Sequence, residues 1–80
     1  MVNKQKALAV IVSRDKQEGI WYILSSDVPG LHAEAETLDE LVAVISDLAP
    51  ELVAANLPDT AANIPISIQH VVVTKPARAA

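Results

Sequence analysis

Two histidines, a stripe of carboxylates, one tryptophan and a Ser-Ser-Asp triplet are the side chains of this 80-residue sequence with chemistry to offer. His32 and His70 have the type of side chain that ligates a metal or shuttles a proton. Asp39, Glu40, Asp47 and Glu51 recur at spacings that gather on one face of a helix, with no lysine four residues further on to pair with any of them. Such a face either docks a basic protein or is simply solvated. Trp21 can serve as core, as an interface anchor or as a base-stacking platform, and stacking is the weakest of these without a neighbouring Arg or Lys. Ser25 and Ser26 ahead of Asp27 suit local backbone hydrogen bonding in a turn. The chain has only Gly19 and Gly30, so it carries no glycine-rich phosphate loop, and no cysteine for a thiolate metal site or a disulfide. No catalytic residue, metal or cofactor is expected, and the chain does not read as an enzyme.

The elements that position these residues follow from periodicity. Lys6 to Ser13 is a β-branched run apolar on both faces, the signature of a central strand. Arg14 to Gly19 reads as a charged hairpin loop, and Ile20 to Ser25 as the strand that pairs back. Ser25-Ser26-Asp27-Val28-Pro29-Gly30-Leu31 then redirects the chain. Proline presets φ and glycine supplies φ > 0, so Val28-Pro29-Gly30-Leu31 is expected to form a type II turn. Leu31 to Glu36 alternates, with Leu31, Ala33 and Ala35 inward and His32, Glu34 and Glu36 outward, as a protected edge strand would. Thr37 precedes Glu40 by three positions, a capping box opening a helix. Leu38, Leu41, Val42, Ile45, Leu48, Ala49, Leu52 and Val53 form its apolar stripe. Pro50 lies inside on the polar side, and Asn56 is placed to end the helix as an αL cap. Residues 56–63 are loop, Ile64 to Val73 is a last strand, and 74–80 is a flexible tail.

The expected fold class is therefore α+β, β-β-β-α-β, in one domain with its core over residues 6–73. A right-handed crossover makes the last strand parallel to the first and gives sheet order 3-2-1-4 with one helix on one face. In that order the two histidines fall on opposite edge strands, too far apart to share a metal. One sheet face and the strand-4 edge stay uncovered, which predicts a homodimer or higher even oligomer with Trp21, Ile23, Val71 and Val73 at the seam.

Composition narrows the partners. A formal net charge of −4 argues against direct nucleic-acid binding, because such proteins neutralise phosphates with Lys and Arg. With 51% hydrophobic residues yet no Phe, the core must be built from Val, Ile, Leu and Ala. No stretch has the length of a membrane span or the layout of a secretory leader, so a cytoplasmic protein is expected.

At Gly19-Ile20-Trp21-Tyr22, Ser25 to Leu31, Glu34 to Leu41 and Pro50-Glu51-Leu52 the sequence resembles the HicB-like proteins, in particular the short branch catalogued as domain of unknown function 1902. The specific part is the Asp27-x-Pro29-Gly30-Leu31 turn followed by the helix capped at Thr37; the likeness covers residues 6–57. The resemblance implies a truncated ribonuclease-H-like fold and an antitoxin that silences a small basic RNA-cleaving toxin, HicA. Family members commonly carry Gly-Cys after the proline and Gly-Asp before the capping Thr, where this chain has Gly30-Leu31 and Ala35-Glu36. Many also append a DNA-binding segment, which is not expected here. Strand 1 carries no carboxylate between Lys6 and Ser13, so two-metal ribonuclease chemistry is not implied. The expected function is a non-catalytic protein-binding module, with Asp39, Glu40, Asp47 and Glu51 meeting the basic partner. The alternative is an orphan homo-oligomeric scaffold with no toxin partner.

Overall fold

A computed structural model describes residues 7–60 and 63–72 of the chain. Strand β1, Leu8–Asp15, alternates between a face that is fully buried (Leu8, Val10, Val12) and one only half covered (Ala9, Ile11). It lies at the centre of the sheet. Strand β2, Ile20–Ser26, pairs with it antiparallel, and β4, Ile66–His70, pairs with its other edge in parallel. Strand β3, Glu34–Ala35, closes the order β3-β2-β1-β4. The β-β-β-α-β order and the mixed sheet are those expected from the sequence.

Helix α1, Leu38–Asn56, sets Leu41, Ile45, Ala49 and Val53 at four-residue intervals against Leu8, Val10 and Val12. Val28 and Leu31, on either side of Pro29-Gly30, complete this core. Each large aliphatic side chain buried there contributes about 1.5–3 kcal/mol, so the core, not the short strands, holds the helix to the sheet. The Thr37 hydroxyl accepts from the Glu40 N–H at 3.1 Å. No return bond from the Glu40 carboxylate forms among the described residues, so the cap is one-sided. Pro50 is accommodated within a continuous helix, its side exposed to solvent.

Several details depart from expectation. The first hairpin is tighter: β1 runs on to Asp15, whose carboxylate accepts from the N–H groups of Gln17 and Glu18, and the turn closes at Gly19 with φ 69°. Turn hydrogen bonding lets the strands extend into what the charge run suggested was loop. Among the described residues no non-glycine has positive φ, so Asn56 is not an αL cap; the helix ends at Leu57, whose N–H donates to the Val53 carbonyl at 2.8 Å. Both edge strands are shorter than the alternation implied. Lys6, Val73 and the tail lie outside the described residues.

Candidate functional site

Three places gather the residues with chemistry. The first is the turn after β2. The Val28 carbonyl accepts from the Leu31 N–H at 3.3 Å and Gly30 has φ 82°, the geometry of the expected type II turn. Asp27 ties the turn to β1, and the Ser26 hydroxyl accepts from the Val28 N–H at 2.9 Å. The Asn56 amide, free of any αL role, donates to the Pro29 carbonyl at 3.2 Å and so joins the turn to the last residue of α1. A Cβ on Gly30 would stand 3.6 Å from Leu52 and 3.8 Å from Asn56, an ordinary contact; the positive φ is what calls for glycine. Asp27, Pro29, Gly30 and Thr37 thus have structural work. The hollow beside Pro29 and Gly30 holds only about 180 Å³, below the usual size of a small-molecule site.

The second is the solvent face of α1. Asp39, Glu40, Asp47 and Glu51 are all exposed there, opposite the buried stripe, and the last turn contains no basic residue. At 100° per residue they occupy one arc, so the structure does bring the four together as a carboxylate face.

The third was not legible as a site. Arg14 pairs in register with Trp21, and both side chains project on the helix side of the sheet. Trp21 reaches across β1 to His70 on β4, the ring centroids 4.7 Å apart in an edge-on arrangement. Lys16, from the hairpin turn, joins Arg14, Trp21 and His70 in lining a groove of about 560 Å³, to which Ser13 and Tyr22 also contribute. Ser13 is only 7% exposed and its hydroxyl donates to the Val71 carbonyl at 3.3 Å, fixing the wall where β4 ends. Trp21 therefore has cationic neighbours, contrary to the sequence reading. The missed signal was hairpin register. Counting back from Gly19 across a four-residue turn, rather than closing the strands at Ser13, sets Arg14 opposite Trp21.

Of the four residues expected at an oligomer seam, three lie among the described residues and Val73 lies outside them. Trp21 and Ile23 pack against the core on the helix side, not on the open face. Val71 follows β4 and donates its N–H to the Val12 carbonyl at 3.0 Å. A register shift between Ile11 and Val12 leaves Leu24 as an extra residue, 49% exposed. The helix-free face presents Ala9, Ile11, Ile20 and Tyr22 interspersed with Ser25, Glu34, Ser67 and Gln69, a mixed polar and apolar surface. His32 is exposed near β3, across the sheet from His70. Among the described residues no group of three or more His, Cys, Asp or Glu could hold a metal ion. Among the described residues no helix is long and apolar enough to cross a membrane.

The fold and these surfaces define a small α+β domain with one helix packed on a mixed four-stranded sheet. The chain belongs to the family described as Domain of unknown function (DUF1902), whose model matches residues 7–78. It is similar to the crystal structure of hypothetical protein TTHA1013 from the extremely thermophilic bacterium Thermus thermophilus, at 30% sequence identity and a TM-score of 0.62, over 88% of this chain and 99% of that one. No curated protein matches the chain.

Proposed function

We propose that this chain is a non-catalytic protein-binding module of the antitoxin type, masking a small basic RNA-cleaving protein of the HicA kind. The observation that carries the reading is the acidic face of α1. Asp39, Glu40, Asp47 and Glu51 stand exposed along three turns of a helix whose opposite face is fully committed to the core. A unipolar face on a rigid element steers a basic partner and fixes its orientation. The resemblance at Asp27 to Leu31 and at Thr37 to Leu41 adds the identity of the partner class. The test is co-expression with the product of an adjacent reading frame that encodes a small basic protein. Recovery of a stoichiometric, salt-sensitive complex, with growth restored, supports the reading; failure to bind any such product removes it.

A second reading, self-assembly as a scaffold, is favoured by the half-buried Ile11 at the middle of the helix-free face. Pairing of that face between two copies would cover Ile11, Ile20 and Tyr22. Sedimentation well above 8.5 kDa that collapses in Ile11→Asp supports it, and a monomer at micromolar concentration removes it.

A further inference from the structure

The groove at the carboxyl ends of β1 and β4 is cationic and aromatic by turns, unlike the other hollows among the described residues. One end is cationic. Arg14 and Lys16 are exposed, and the Arg14 guanidinium lies over the hairpin turn, its Nη2 3.7 Å from where a Cβ on Gly19 would be. The other end is aromatic, built from Trp21 and the His70 ring set edge-on to it at 4.7 Å. Register, not sequence proximity, creates this arrangement: Arg14 is the cross-strand partner of Trp21, and His70 is aligned with Val12 on the same face. Aspartate and glutamate near the hairpin are sorted elsewhere, since Asp15, Glu18 and Glu34 line a different hollow with Ile20 and Tyr22.

A guanidinium and an ammonium lining one groove can recognise a phosphate by charge-assisted hydrogen bonds. An indole flanked by an imidazole holds a flat heteroaromatic ring by stacking, in a manner tolerant of ring identity. The volume, about 560 Å³, is within the range of small-molecule sites. We propose that this groove binds a mononucleotide, with the phosphate at Arg14 and Lys16 and the base against Trp21 and His70. The net charge of −4 selects a single nucleotide over a polynucleotide, whose many phosphates would meet the acidic remainder of the surface. This site is separate from the α1 carboxylate face, and stands or falls without the antitoxin reading.

Trp21 is the only tryptophan, so its fluorescence reports on the groove directly. Each common 5′-ribonucleoside monophosphate is titrated in turn into the full chain, alongside the matching nucleoside and inorganic phosphate. At least one monophosphate is expected to change the emission saturably, binding about tenfold or more tightly than its nucleoside or phosphate alone. Arg14→Gln and Lys16→Gln, both at exposed positions, are expected to weaken the monophosphate about tenfold and leave the nucleoside unchanged, with circular dichroism confirming the fold. Arg14→Lys should recover part of the loss. His70→Ala, followed by calorimetry, should weaken nucleotide and nucleoside alike. The proposal is overturned by the absence of saturable binding for every monophosphate, by phosphate alone binding as tightly as the nucleotide, or by a short single-stranded oligonucleotide binding far more tightly with a steep salt dependence.

Discussion

Asp27 and Ala9 grip each other twice: the Asp27 N–H donates to the Ala9 carbonyl at 2.8 Å, and the Asp27 carboxylate accepts from the Ala9 N–H at 2.9 Å. The side chain thus takes over a bond that a further strand residue would have made, and lets the chain leave the sheet for the Pro29-Gly30 turn. Asp27→Ala is expected to lower stability by about 1–2 kcal/mol, whereas Asp27→Asn, which keeps an acceptor, should cost less than half of that. Urea unfolding of the two variants checks this; equal midpoints for wild type and Asp27→Ala would refute it.

Thr37 is the sole side-chain cap of the α1 N-terminus among the described residues, since Glu40 does not reciprocate. Thr37→Ala is therefore expected to cost about 1 kcal/mol, and Glu40→Gln close to nothing through capping. Thermal unfolding separates them, and a larger loss in Glu40→Gln than in Thr37→Ala would reverse the assignment.

Pro50 removes a donor from within α1 while sitting on its exposed side. Pro50→Ala restores that bond to the Ser46 carbonyl and relieves the ring's crowding of the preceding turn. Unfolded-state freedom offsets part of the gain, leaving an expected increase of about 1–2 kcal/mol. A denaturation midpoint that falls in this variant would show that the helix needs the proline's shape.

Reversal of the carboxylate face separates binding from folding. Asp47→Lys with Glu51→Lys is expected to change stability by no more than about 0.5 kcal/mol while abolishing capture of a basic partner. Both sites lie beyond the first turn, where the helix dipole favours carboxylates. Undiminished capture by the double variant would move the interface off α1.

The large features were legible because each depends on local spacing. Leu41, Ile45, Ala49 and Val53 announce a helix by their intervals, and the β-branched run before Arg14 announces a central strand. Their connection then leaves few topologies, and the observed one is among them. The faces of β2 were not legible, because the extra residue at Leu24 shifts the phase of alternation partway along the strand. Before the bulge Trp21 and Ile23 face the helix; beyond it Ser25 faces away. Asn56 escaped for another reason. Its type suits an αL cap, but the Pro29 carbonyl, distant in sequence, offers its amide a partner in the ordinary helical conformation. The Arg14–Trp21 pairing is likewise a property of two strands together and of neither alone.

The parallel union of β1 with β4 also sets an order of events during synthesis. β1 is made before β4, and one of its edges is satisfied only by Ile66–His70, at a separation typified by the 58 positions from Ser13 to Val71. At about 5–20 residues per second, several seconds pass between the emergence of the two strands from a ribosome. Over that interval the hairpin and helix can form while the backbone of Leu8 and Val12, which bonds to Pro65 and Val71 in the folded chain, faces an unoccupied lane. The nascent chain is thus open to annealing with foreign strands and to proteolytic attack until β4 arrives to close the sheet.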